Sequence, residues 1–303
     1  MDGRGVVRGV MISTMVLCLL GSAVEMAVGA DKEDMGPRSP EKNWSIGFTP
    51  SVSQGNFGSN TTSTFVYAPL SIRRLFRDGD VAVVIPFVSA TSNGTSTLVG
   101  GQPTQTIPGT CLKNGGTVID TSKPECLAFL NTGGRATSRK VTNSGLGDIL
   151  LKGRYYLMEE KDFVPLIAVT GRLKLPTASA SQGLGTGELD YGFGVELSKL
   201  IARDWLLYLD GGYNIIGDPD GLPFQNQYWY DIGAGYNFTD KLLGSVYFEE
   251  YRAIVPGFVN ARDVFFSANY KASDAWRFNA GLTVGLSNGA PDYGVSIGTN
   301  YRF

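Results

Sequence analysis

The sequence predicts an all-β chain closed into an antiparallel transmembrane β-barrel of about twelve strands, and three observations carry that reading. Extended segments with a period of two recur from residue 44 to the C-terminus. Each sets large, mostly apolar side chains against glycine, small polar and charged ones, and successive side chains of an extended chain point to opposite faces. The chain holds 40 glycines, 14 tyrosines and 16 phenylalanines, yet no apolar run of about 20 residues follows residue 30, so it offers no membrane-spanning helix. Short charged turns alternate with longer loops rich in glycine, asparagine and proline, the arrangement of barrels with short turns on one side of a membrane and long loops on the other.

The last strand shows the pattern most clearly. Tyr293, Val295, Ile297, Thr299, Tyr301 and Phe303 alternate with Gly294, Ser296, Gly298, Asn300 and Arg302, over a length that crosses a bilayer in about 9–11 tilted residues. In chain order, the first strand sets Trp44, Ile46, Phe48 and Val52 against Ser45, Gly47, Thr49 and Ser51. The second, residues 64–76, has a register left open by Arg73 and Arg74, and a tight turn at 77–80 leads to the third, residues 81–91. Residues 92–143 read as one long external loop containing Cys111 and Cys126. Strand four, residues 146–158, sets Ile149, Leu151, Tyr155 and Leu157 against Asp148, Lys152 and Arg154. Strand five, residues 163–175, sets Ile167, Val169, Leu173 and Leu175 against Thr170, Arg172 and Lys174. Strand six places Asp190, Gly192, Gly194, Glu196 and Ser198 on one face; strand seven places Tyr208, Asp210, Gly212 and Asn214 there. Strand eight does the same with Asp231, Gly233, Gly235 and Asn237. Strand nine, residues 242–254, turns a glutamate outward in either register, Glu249 or Glu250. Strand ten sets Val264, Phe266 and Tyr270 against Asp263, Ser267, Asn269 and Lys271, and strand eleven sets Trp276, Phe278, Ala280, Leu282 and Val284 against Arg277, Asn279, Gly281, Thr283 and Gly285.

Twelve strands, an even number, return both termini to one side, expected to be the periplasm. The threading also gathers Trp205, Tyr236, Phe238, Trp276, Tyr301 and Phe303 at the turn end, and Tyr213, Tyr228, Tyr230 and Tyr293 at the loop end. Aromatic girdles of this kind flank the apolar band of membrane barrels. Residues 1–30 have the layout of a secretory signal peptide: Arg4 and Arg8, an apolar run, then Val28-Gly-Ala30 as a cleavage site near Ala30. Residues 31–43 read as a polar periplasmic tail or a small plug, and residues 44–303 as the barrel.

Charges on a lipid face would cost roughly 2–4 kcal/mol at mid-bilayer. Asp148, Lys152, Arg154, Arg172, Lys174, Asp190, Glu196, Asp210, Asp231, Asp263, Lys271, Arg277 and Arg302 therefore face the lumen. Their signs are balanced, as is the whole chain at −2, which gives no case for nucleic acid and disfavours a pore strongly selective for one sign. The inward glycines 192, 194, 233, 235, 281, 285, 294 and 298 are expected to leave a narrow channel. The isolated pair Cys111 and Cys126 suggests one disulfide in an oxidising compartment. There is no histidine, which removes Ser-His-Asp and Cys-His chemistry and histidine metal sites. Gly183-Leu-Gly-Thr-Gly187 precedes a strand where a phosphate loop must open a helix, and Asp218-Pro-Asp-Gly221 reads as a turn without the cluster calcium needs. No catalytic residue, cofactor or metal is expected.

Four stretches are similar to a known family: Ser144-Gly-Leu-Gly-Asp-Ile-Leu-Leu151, Gly171-Arg-Leu-Lys-Leu-Pro-Thr177, Gly183-Leu-Gly-Thr-Gly-Glu-Leu-Asp190 and Leu286-Ser-Asn-Gly-Ala-Pro-Asp-Tyr293. They resemble the outer-membrane proteins associated with the meta-cleavage pathway of phenol degradation, barrel transporters distantly similar to the long-chain fatty-acid and toluene channels. The closing strand likewise looks like that of a bacterial outer-membrane barrel, with Tyr301 and Phe303 as the aromatic signal for the barrel-assembly machinery. The resemblance implies a non-enzymatic protein of the Gram-negative outer membrane, in contact with lipid and lipopolysaccharide. It also implies facilitated diffusion of small solutes, with hydrophobic or aromatic compounds suggested. The alternative is a structural barrel with a blocked lumen whose long loop binds an external partner.

Overall fold

The computed structural model describes residues 43–57, 61–94, 96–105, 112–113, 118–119, 140–219 and 224–303. Twelve antiparallel strands form one closed sheet. Strand β1 is made of Trp44–Phe48 and Ser51–Gly55, interrupted at Thr49 and Pro50, and is followed by β2 (Ser63–Phe76) and β3 (Gly79–Ser92). Strand β4 also has two parts, Val141–Leu146 and Ile149–Met158. The rest are β5 (Leu166–Leu175), β6 (Asp190–Leu200), β7 (Trp205–Ile215), β8 (Gln227–Thr239), β9 (Leu242–Tyr251), β10 (Ala261–Lys271), β11 (Trp276–Gly285) and β12 (Tyr293–Arg302). Each strand pairs with its neighbours in sequence, and β12 pairs with both parts of β1.

Closure is carried by backbone hydrogen bonds. Ile46 lies opposite Tyr301 and Val52 opposite Val295. The Trp44 amide donates to the Phe303 carbonyl at 3.0 Å, and the Phe303 amide returns a bond to Trp44 at 2.9 Å. Pro50 lacks the N–H that a central strand position supplies, which splits β1, yet its carbonyl still accepts from Ile297. The register across the split is unbroken. Strand four starts earlier than its alternation suggests, at Val141, and the ladder to β3 shifts by one residue at Gly147 and Asp148. That bulge separates the alternating pattern of residues 149–158 from the glycine- and serine-bearing segment before it.

The outer surface is apolar. Ile46, Phe87, Tyr155, Phe193, Ile232 and Ile297, from strands all round the barrel, are among its exposed side chains. At the end with short turns, Trp205 packs on Tyr236 with ring centroids 5.0 Å apart, and Trp276 on Tyr301 at 4.8 Å. At the opposite end Tyr213 lies opposite Tyr228. Among the described residues no helix is long and apolar enough to cross a membrane. Two open registers are settled. Arg73 turns inward to Asp80, while Arg74 sits outside over the Trp44 ring at 5.0 Å. In β9, Glu249 is inward and Glu250 outward, where the Arg262 guanidinium (3.0 Å), the Tyr230 hydroxyl (2.8 Å) and the Asn260 amide (2.7 Å) all donate to it. The expected leader and tail (residues 1–42), and the proposed pair Cys111 and Cys126, lie outside the described residues.

Deleting residues 301–303 removes the Tyr301 pairing with Ile46 and the reciprocal Trp44–Phe303 bonds. The expected outcome is a sharp loss of heat-modifiable barrel in outer-membrane fractions; undiminished folded barrel would contradict closure through this seam.

Candidate functional site

The lumen is built in layers, because strands in register carry their inward residues at matching heights. Glu196, Asp210, Asp231, Glu249 and Asp263 stand directly opposite one another on β6 to β10. All five are buried. Toward the turn end runs a parallel row of Tyr208, Gly233, Tyr247 and Phe265; toward the loop end lie Gly212, Trp229 and Tyr251. Trp229 and Tyr251 stack with centroids 6.4 Å apart, as do Tyr247 and Phe265 at 6.3 Å.

Of the inward glycines expected to leave a channel, Gly194, Gly233, Gly235 and Gly281 seat these rings, which corrects the expectation at those positions. Gly192, Gly285 and Gly298 lie against Asn214, Pro291 and Thr49. A Cβ at Gly194 or Gly212 would lie 2.9 or 2.7 Å from Trp229 Cζ2, and one at Gly281 would lie 2.6 Å from Phe265 Cε2. Gly233 is covered by Tyr247, and Gly235 by Tyr208 at 3.1 Å from Cε2. Buried rings each remove 150–250 Å² of surface from water, and a glycine opposite lets the ring lie against the backbone. Gly294 differs: the nearest atoms to its Cβ position are 3.4 Å away, and it borders a cavity.

The basic residues occupy the other wall. Arg154 Nε lies 3.0 Å from Glu196, its Nη1 3.5 Å from Asp80, and Arg73 3.7 Å from the same Asp80. Lys174 is fully buried; its ammonium lies 2.8 Å from Asp190 and 3.4 Å from Asp148, and donates to Thr186 at 2.7 Å. Asp148 in turn accepts from the Ala178 amide and Asp190 from that of Gly217, so this trio ties two loops to the barrel mouth. Lys152 and Arg172 stand opposite each other on β4 and β5. The balanced signs of the sequence are thus segregated in space, basic on β4 and β5, acidic from β6 round to β10. Of the candidates from sequence, Arg277 and Arg302 lie apart from both groups, near the turn end.

A second feature lies inside the long β3–β4 connection. Ser96–Val99 and Gln102–Gln105 form a hairpin that enters the lumen. Leu98 packs with Phe65, Tyr67, Val88 and Leu184, and Val99 with Ile216, Ile254 and Val255. The Ser96 hydroxyl donates to Ser63 (2.9 Å) and that of Thr97 to the Gly183 carbonyl (2.7 Å). Gly100 at the tip has φ +57°, and a Cβ there would stand 2.6 Å from Arg172 Nη2. Only glycine meets both conditions without strain. Two small cavities flank the hairpin, of about 30 and 40 Å³, and both include Gln102 and Pro103 in their walls. Trp229 is not among the lumen residues expected from sequence, although the parity of Asp231 and Gly233 already puts it on the inner face, and the alternation leaves Glu249 open between two registers.

The sequence model of the family described as "Putative MetA-pathway of phenol degradation" matches residues 76–303. No curated protein sequence matches the chain. Among solved structures, an outer-membrane channel from Pseudomonas putida F1 superposes with a TM-score of 0.58 at 12% identity, covering 88% of this chain and 97% of its own. A toluene transporter from Ralstonia pickettii gives 0.43 at 10% identity, with 89% and 91% covered. The first likeness confirms the outer-membrane barrel fold.

Removing Arg154 leaves Glu196 and Asp80 as buried charges without their shared cation, a change that typically costs about 3–5 kcal/mol. Arg154→Met is expected to lower the urea midpoint of the barrel refolded in lipid vesicles, and adding Glu196→Leu to recover part of the loss. Gly194→Leu and Gly235→Leu are expected to reduce the yield of folded barrel, since each drives a side chain into Trp229 or Tyr208; normal yields would restore the open-channel reading of these glycines.

Proposed function

The chain belongs to the phenol-degradation family matched over residues 76–303, and from that membership and the lumen geometry we propose an outer-membrane channel for facilitated diffusion of small solutes. The observation that carries this reading is the hairpin of residues 96–105, which spans the lumen from the Phe65–Leu184 cluster to the wall of β9 and β10 and leaves a cavity on each side of its tip. A barrel of twelve strands lies between the eight-stranded ones that side chains fill and the 16-stranded porins with an aqueous channel. Here ring layers narrow the wall and the hairpin sets the constriction. Phenol-like compounds are the solute class supported by the family description; ring rows flanked by carboxylates and hydroxyls offer such a solute both an apolar surface and hydrogen-bond partners.

In this reading both termini face the periplasm, the long loops face outward, and residues 1–30 are removed on export. Tyr301 and Phe303 serve the barrel-assembly machinery, and the outer belt meets lipid and lipopolysaccharide. The test is planar-bilayer recording with phenol flux into proteoliposomes. Deleting residues 97–104 is expected to raise single-channel conductance several-fold, and Gly100→Val, which breaks the fit against Arg172, to raise it less. A wild-type barrel that is silent and no more permeable than empty liposomes, with a silent deletion variant, would favour the structural barrel instead.

A further inference from the structure

A small cavity of about 30 Å³ lies between the hairpin tip and the wall formed by β1 and β9 to β12, with Glu249, Asp263, Thr283, Ser53, Ser296 and Gln102 in its lining. Glu249 and Asp263 are only 2% and 5% exposed. They face each other across β9 and β10. Each also keeps one oxygen, Oε1 of Glu249 and Oδ1 of Asp263, without a hydrogen-bond partner. Ionised carboxylates only accept, so neither can satisfy the other's oxygens. Neither makes an ion pair among the described residues. The Arg154 and Lys174 cations are engaged on the opposite wall. The charged group facing the pair from β8 is another acid, Asp231. The hairpin, β1, β11 and β12 contribute Gln102, Ser53, Thr283 and Ser296, none charged.

We propose that this cavity binds a small primary ammonium compound between Glu249 and Asp263. An ammonium group has three donors and no acceptor. It donates to the two carboxylates and, with its third N–H, to the Thr283 hydroxyl in the same lining. Pro103 and Pro291, also in the lining, give a short alkyl chain an apolar surface. A divalent metal fits less well, since calcium takes 6–8 oxygen ligands and no group of three or more His, Cys, Asp or Glu side chains is placed to hold a metal among the described residues. The site takes from the channel reading only that solutes reach the lumen.

The experiment is calorimetric titration of the folded full-length barrel, in detergent micelles, with ethylammonium chloride. The site predicts saturable binding that weakens as pH falls, because a protonated carboxyl loses acceptor capacity and its charge. It also predicts affinity reduced at least tenfold in Glu249→Gln and Asp263→Asn, and no binding of tetramethylammonium, which lacks an N–H. Heat-modifiability verifies folding of each variant, and Thr283→Val, expected to weaken binding several-fold, serves if a carboxyl variant fails to fold. Absence of saturable binding to the wild type, unchanged affinity in the variants, or equal binding of tetramethylammonium would overturn the proposal. Since micelles need no conduction, a barrel that fails the flux test can still pass this one.

Discussion

A sheet inside a bilayer has no water to satisfy the amides and carbonyls of a free edge, so it must close on itself, and here it does so where β1 meets β12. The Trp44–Phe303 bonds and the two registers either side of Pro50 complete the ring. Closure fixes the faces. Once Tyr293, Val295 and Ile297 face lipid, every second residue faces the lumen, and each charge on those strands is carried inward with it. A ring of twelve strands encloses a limited cross-section, so inward side chains compete for it. Trp229, Tyr247, Tyr208 and Phe265 fit because the wall beside them is glycine. The glycines are a consequence of the rings.

The same geometry turns a balanced sequence into a polarised interior. Parity places Glu196, Asp210, Asp231 and Asp263 inward; strand register sets them side by side with Glu249 between the last two. Like charges directly opposite across strands are destabilising, and the structure meets this locally. Arg154 neutralises Glu196, and the Leu197 amide donates to Asp210 at 3.1 Å. Buried ion pairs are retained at a desolvation cost, which suits a wall that must stay polar for solutes better than one selected only for stability. The hairpin lies between the two walls, with Gly100 beside Arg172 and Gln102 lining the cavity that Glu249 and Asp263 also line.

Much of this was legible in the sequence because barrel strands obey one rule, alternation, that survives without tertiary information. The twelve strands, the outward apolar belt, the turn-end ring of Trp205, Tyr236, Trp276 and Tyr301, and the inward acids and bases followed from it. What it missed depended on neighbours. Glu249 and Glu250 are equivalent by parity until Arg262 and Tyr230, one strand away on either side, claim Glu250. Glycine reads as empty space until a ring from the adjacent strand is seen to fill it. The hairpin at residues 96–105 has too short an apolar stretch, Leu98 and Val99 among glycine, threonine and glutamine, to register as an element; its stability comes from Phe65, Tyr67 and Ile254, distant in sequence.

The central claim is that this hairpin sits within the barrel and sets its constriction. It is tested most directly by nuclear Overhauser contacts in a methyl-labelled barrel in micelles. The account predicts contacts from the Leu98 methyls to the Phe65 and Tyr67 rings, and from the Val99 methyls to those of Ile254, with slowly exchanging amides at 97–99. A hairpin that shows none of these contacts and exchanges its amides at solvent rates would contradict it.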